Sequence, residues 1–463
     1  MIRSYQNLEV YKRSTEKLES RSVKGRRKKL TSGGIEVRCW EVEFSVPTLY
    51  SLPSIFYSLA FILCLLTSPT SAQTLQDYQR LAAENNPGLQ AQYKAFKAAL
   101  EKIPQANGLP DPTLSFGYFI SPVETRVGPQ RARVSLNQMF PWFGTLKASG
   151  DVATLRAEAQ YQAFLDEKNQ LFYRVAASYY PLYELNRWLA LERENAEILE
   201  SYKIIATTKF ENAEGTLVDV LRVDLMLKDA VTNVDILEEK RQPLAIAFNT
   251  LLNQEEATPI MIPDTLVVLK ETPKVSKDSL FTKNPVLKEF DLTIKASEVQ
   301  AILAEKQGLP KLGVGLDYIR VGQREDLTPG MSVPDNGQDA LMPMVSLSLP
   351  LYRGKYRAVK EEAKLLQQRY SLQKEGTVND LIANYEMTTF DLSQQNQLIS
   401  LYQEQIEQTR QVLNLLLTAY SNSGSAFEEV LSVQQQLLIY QKMKATALMK
   451  YHIARAKLSY LMG

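Results

Sequence analysis

The sequence predicts a mostly α-helical protein with a small β part, built as an internal duplication. Three observations carry that expectation. The stretches 145–212 and 355–422, 68 residues each, contain very few helix breakers: Gly150 and Pro181 in the first, Gly376 in the second. Two pairs of short segments alternate apolar with small or polar residues. A set of local motifs recurs in the same order about 200 residues downstream.

The N-terminus reads as an address. Residues 55–66 (IFYSLAFILCLL) form a 12-residue apolar run, too short to span a bilayer comfortably as a helix of roughly 20 residues would. Thr67-Ser68-Pro69-Thr70-Ser71-Ala72 follows, and the small residues at Thr70 and Ala72 suit signal peptidase. Residues 1–72 are therefore expected to be an extension and signal peptide, cleaved before Gln73 or partly untranslated. Glu36, Glu41 and Glu43 fit a signal's basic leader badly, whereas Lys24 to Lys29 lie further upstream. That mismatch places the expected true start near residue 48.

Beyond residue 72 the domain plan is a first repeat at 73–254, an inter-repeat segment at 255–277 and a second repeat at 278–463. Asn86-Pro87 recurs as Asn284-Pro285, and Gly108-Leu109-Pro110 as Gly308-Leu309-Pro310. Val134-Ser135-Leu136 recurs as Val345-Ser346-Leu347, Gly144 as Gly354, and Gly215 with Val220-Leu221 as Gly424 with Val430-Leu431. Each match is weak alone; five in order at nearly constant spacing indicate duplication.

Each copy opens with an amphipathic helix. In the first, Leu89, Tyr93, Phe96, Leu100 and Ile103 step by four and three, and Gly108-Leu109-Pro110 stops it. Two strands follow. Leu114, Phe116, Tyr118 and Ile120 alternate with Ser115 and Gly117, and Val134 and Leu136 with Ser135 and Asn137. The second copy alternates Leu312, Val314, Leu316 and Tyr318 with Gly313, Gly315 and Asp317, then Val345, Leu347 and Leu349 with Ser346 and Ser348. The connection Gly322–Ala340 reads as a long loop, with Met331, Met342 and Met344 assigned to it. The third part is the long helix, about 100 Å if continuous, with a kink expected at Pro181. The fourth is a return helix after Gly215 or Gly424. In the last one Val430, Val433, Leu437, Tyr440, Ala447, Ala454, Leu458 and Leu461 keep a coiled-coil spacing. Residues 255–277, with Ile260, Ile262 and Leu266 to Leu269, read as a small mixed element.

Composition narrows the function. The chain has 53 basic and 52 acidic residues; the first 50 hold 11 and 6, residues 51–72 none, so residues 73–463 keep 42 and 46, a net of −4. A near-neutral body has no global field for gathering nucleic acid. Cys39 and Cys64 both precede residue 73, and His452 is the only histidine. Disulfides, Cys-based zinc sites, His-pair metal sites and Cys-His catalysis are thus excluded from the body of one chain. No catalytic, cofactor or metal site is expected. The Met trio is a weak thioether signal for Cu(I), and packing accounts for it more simply.

Four strands with a lipid-compatible face cannot close a barrel alone, because an open edge is not tolerated in lipid. Several copies are implied. The duplication and its punctuation, above all Tyr420-Ser421-Asn422-Ser423-Gly424-Ser425-Ala426-Phe427-Glu428-Glu429-Val430-Leu431 and its looser copy from Lys209 to Leu221, resemble the TolC-like outer-membrane efflux proteins over about residues 74–463. The resemblance implies a long α-helical coiled-coil barrel in the periplasm with four membrane β-strands per chain, and a homotrimer with a 12-stranded β-barrel in the outer membrane lipid. It implies an export channel that takes substrate from a periplasmic adaptor (membrane fusion protein) and an inner-membrane pump of RND or ABC type. It also implies that Glu214, Gly215, Thr216, Ser423, Gly424 and Ser425 are adaptor-docking tips and that the entrance gate lies at Asn414 and Leu415. Asn414 stands where some relatives place an acid, which leaves a polar-amide or an apolar gate open. Phe140, Trp142, Phe143 and Tyr352, where strands give way to helices, suit the membrane interface; ordinary packing at a corner explains them equally well. The alternative reading is a soluble periplasmic coiled-coil adaptor or scaffold, which needs no lipid-facing strands.

Overall fold

The computed structural model describes residues 74–268, 281–326, 333–421 and 426–463, all within one compact unit, Ser71–Gly463. The expected signal, the second tip at residues 422–425 and Met331 lie outside the described residues. The chain order is α1 (Leu75–Asn85), α2 (Pro87–Asn107), β1 (Thr113–Val123), β2 (Gln130–Phe140), α3 (Thr145–Glu211) and α4 (Leu217–Leu251). It continues with α5 (Pro285–Gln307), β3 (Lys311–Val321), β4 (Ala340–Ser348), α6 (Arg353–Ser421) and α7 (Phe427–Met462).

The duplicated Asn-Pro dipeptides do the same work twice. Proline at the first helical position needs no N–H there, and the asparagine before it caps the helix. Asn86 Oδ1 accepts from Leu89 N at 3.1 Å while its Nδ2 donates to Leu251 O, at the end of α4, at 3.0 Å. Asn284 Oδ1 accepts from Val286 N and Leu287 N, and its Nδ2 donates to Leu461 O, near the end of α7, at 3.0 Å. Each asparagine therefore starts a short upper helix and holds the end of a return helix, so the upper and lower helices stack end to end.

The long helices are single elements of 67 and 69 residues, which at 1.5 Å per residue span about 100 Å. α3 runs without interruption through Pro181. α1, which the sequence reading did not foresee, starts with a capping box between Thr74 and Asp77. In the lower half the helices pack in the order α4, α3, α7, α6, and in the upper half α2, α3, α5, α6. The seam of α7 is as the spacing predicts: Val430, Leu437, Ala447, Ala454, Leu458 and Leu461 are buried. Residues 255–268 carry no strand. They are an irregular strap, held where Tyr78 Oη accepts from Met261 N at 2.8 Å and Tyr179 Oη donates to Met261 O at 3.2 Å.

The four strands form one antiparallel sheet in the order β1-β2-β3-β4. Its central pair, β2 with β3, joins the two copies from Gln130 opposite Val321 to Phe140 opposite Leu312. β4 corrects the loop assignment. It begins at Ala340, so Met342 and Met344 are strand residues opposite Asp317 and Gly315. Pro343 obscured this in sequence, since proline usually breaks a strand; β4 is an edge strand, where a missing N–H is tolerated.

Candidate functional site

The sheet is inside out relative to a soluble protein. Leu312, Val314, Leu316 and Tyr318 of β3 are exposed, while Gly313, Gly315, Asp317, Ile319 and Val321 are buried. Leu114, Phe116, Tyr118 and Ile120 of β1 and Leu341, Val345 and Leu347 of β4 are exposed as well. The glycine face is covered by its own neighbours. A Cβ on Gly313 would lie 2.1 Å from Ser346 Oγ and 3.4 Å from Met139 Cε, so only glycine lets β2 and β4 side chains lean over β3. Along the middle of the sheet the exposed row is apolar and the covered row is small, polar or thioether, with Ile319 and Val321 covered towards the far end of β3, an alternation that suits lipid on one side and water on the other. Among the described residues no helix is long and apolar enough to cross a membrane.

Phe140, Trp142, Phe143 and Tyr352 all lie exposed at the junction of sheet and helices, with the Trp142 and Phe143 rings edge-on at 6.0 Å.

At the opposite end α3 closes in a Schellman motif. Glu214 N donates to Lys209 O at 2.8 Å and Ala213 N to Phe210 O at 3.0 Å, and the left-handed residue is Ala213, with φ 58°. Gly215 is not the left-handed residue and serves another need: a Cβ there would meet Lys209 Cβ at 3.1 Å and Phe210 N at 3.3 Å. Thr216 caps α4, accepting from Asp219 N at 3.2 Å. Glu214 and Thr216 are exposed at the turn. Ser423, Gly424 and Ser425 lie outside the described residues. Asn414 and Leu415 are both exposed on α6, Leu415 beside buried Leu413.

The sequence reading missed what joins the two hairpins near this end. Lys209 Nζ, on the last turn of α3, donates to Tyr420 O on α6 at 3.0 Å and sits 4.0 Å from the Tyr420 ring centre. Tyr420 stacks on Phe427 of α7 at 4.8 Å, and Phe427 meets Tyr202 of α3 edge-on at 6.0 Å. Arg222 Nη1 of α4 pairs with Glu428 Oε2 of α7 at 2.9 Å. Asp224 binds Lys203 and Lys228, and those hydrogen bonds hold its carboxyl down to about 2. The one signal for this cluster was an aromatic at matching places in both copies, Phe210 and Tyr420.

Higher up, the seam between α3 and α7 turns polar. Glu192 is fully buried and paired across the helices with Lys442. Thr446 Oγ1 donates to Glu184 Oε1 at 2.6 Å, and Gln434 Nε2 to Asn195 Oδ1 at 3.2 Å. His452 is buried too, its ring stacked on Tyr180 at 5.0 Å and edge-on to Tyr451. Burial, helped by the nearby Arg455 charge, lowers its pKa to about 4, so the imidazole is neutral at pH 7.

Residues 278–463 match the outer membrane efflux protein family. The chain superimposes on the outer-membrane channel OprN with a TM-score of 0.70 at 16% identity, covering 84% of this chain and 89% of that one. For CusC the values are 0.71 and 15%, over 85% and 92% of the two chains. For VceC of Vibrio cholerae they are 0.67 and 15%, over 84% and 96%. At these identities the likeness is one of fold. No curated protein matches the chain significantly by sequence.

Proposed function

From a chain whose residues 278–463 match the outer membrane efflux protein family, we infer an outer-membrane channel that carries solutes out of the cell as part of an efflux assembly. Its helical part extends into the periplasm. The observation that carries this reading is the inverted sheet, apolar outside and polar inside, standing on helices about 100 Å long. A soluble adaptor has no use for that exposed apolar face.

Assembly follows from the edges. β1 and β4 each pair on one side only, and in lipid those free backbone groups need partners. Pairing β4 of one copy with β1 of the next supplies them, and three copies give twelve strands. The flanking helices support the same closure: α4 exposes Leu217, Val218, Leu221 and Leu225, and α6 exposes Phe390 and Leu401, apolar rows that the next copies would cover. We assign docking of a periplasmic adaptor to the turns around Glu214–Thr216 and Ser423–Ser425, and service of an RND or ABC pump to that adaptor. The entrance gate is assigned to the α6 stretch at Asn414 and Leu415. The Lys209–Tyr420 and Arg222–Glu428 contacts restrain the second hairpin against the first and so bias the entrance towards closure.

The test is purification of the full chain from outer membranes and reconstitution in planar bilayers. Trimers that conduct ions are expected. Recovery as soluble periplasmic material with no conductance would overturn the channel.

A further inference from the structure

Asp317 stands midway along β3 on the covered face, and its side chain is fully buried against an ion pair from Arg133 of β2. Arg133 is different: 39% of its side chain is exposed, and its Nη2 also rests 3.8 Å from Met344 Sδ of β4. The pair thus hides its anion and shows its cation. The register puts Ser135 opposite Asp317 and Ser115 opposite Ser135, all on this same face. The other charged residue at a paired position of the face is Lys311, opposite Ser348, again a cation. No paired position of the face presents an exposed carboxylate.

We propose that Arg133 gives the barrel lumen a positive potential at mid-height and is a specificity-determining residue that favours anionic solutes. The proposal rests on the channel reading above. Twelve strands at ~4.8 Å spacing and ~40° tilt make a barrel of roughly 12 Å radius. The Debye length is about 10 Å at 0.1 M salt and ~3 Å at 1 M. Three guanidinium groups at one depth are therefore felt across the lumen at low salt and only near the wall at high salt. Asp317 acts as the anchor. Buried and paired, it fixes Arg133 at this depth and lies behind it, so each pair is a dipole whose positive end is the one nearer the lumen.

A local probe separates this potential from that of the long duct. Outside Cys39 and Cys64 the chain has no thiol, so Ser115→Cys in a Cys39→Ser, Cys64→Ser background offers one reporter on the inner face. In reconstituted trimers at 0.1 M salt, the ratio of labelling rates for anionic and cationic thiosulfonates is measured. It should fall roughly three- to tenfold in Arg133→Gln, persist in Arg133→Lys, and lose its dependence on Arg133 at 1 M salt. An unchanged ratio in Arg133→Gln overturns the proposal. Where Arg133→Gln does not assemble, Asp317→Asn decides: the cation remains, so the ratio should hold or rise, and a fall overturns the proposal. If neither reagent labels the thiol introduced by Ser115→Cys, the inner face is dry, which sinks the channel reading itself.

Discussion

Leu199 of α3 and Leu316 of β3 are both leucines in regular structure, yet the first is 0% exposed and the second 45%. In the helices apolar residues pair inward: Leu199, Val223, Val430 and Leu431 form one core, and Tyr78, Leu171, Tyr179 and Phe248 another. Along most of the sheet the same residue types point out and glycine and aspartate are covered, although Ile319 and Val321 at the end of β3 are covered too. One chain therefore obeys opposite burial rules in its two parts. The rule that holds for both is that apolar surface leaves water. On the channel reading proposed above, it does so by meeting protein in the helices and lipid in the sheet.

The largest effect that sharpens this contrast is expected in the helical core. Leu199→Ala should cost about 2–5 kcal/mol, read as a lower unfolding midpoint of detergent-solubilised protein. A loss under ~0.5 kcal/mol would mean that the core of the lower bundle is not as described. In the sheet, Val345→Arg should cost about 2–4 kcal/mol in lipid and deplete the protein from outer membranes, whereas Met344→Gln, one residue away on the inner face, should leave assembly intact. Equal tolerance of both would remove the distinction between the faces.

His452 tests the helical interior by pH. Its folded pKa, about 4, lies below its ordinary 6.5, so between those values the unfolded chain binds more protons. Its neutral form therefore supports stability above pH 6.5, and that support is lost as pH falls towards 4, amounting to roughly 3 kcal/mol. Melting at pH 7 and pH 5 should show a drop that His452→Phe reduces; identical drops would exclude the residue as the cause. The smallest stability change belongs to the hairpin links. Lys209→Met with Arg222→Gln removes two partly buried contacts, each worth about 1 kcal/mol, yet should raise single-channel conductance by freeing the entrance. Unchanged conductance would remove these contacts from gating.

Much of this was legible in sequence because it repeats at short range. Strand alternation, the 68-residue stretches and the Asn-Pro dipeptides each declare themselves within a few turns of chain. What was not legible is contact between distant residues. Pairing of β2 with β3 depends on how two copies meet. Lys209 meets Tyr420 only after two hairpins are laid side by side, and the partner of Glu192, Lys442, lies 250 residues away. Local rules also misled where position overrode residue type. Pro343 lies on an edge strand, and Ala213 rather than Gly215 holds the left-handed turn.

The central claim is that the sheet separates lipid from water by strict alternation. Single cysteines placed in turn from Leu341 to Ser348, in the background lacking Cys39 and Cys64, test it with a membrane-impermeant thiol reagent on outer-membrane vesicles. Labelling at 342, 344, 346 and 348 with protection at 341, 345 and 347 is the predicted pattern. Uniform labelling along the strand would show a sheet bathed in water on both faces and would contradict the channel.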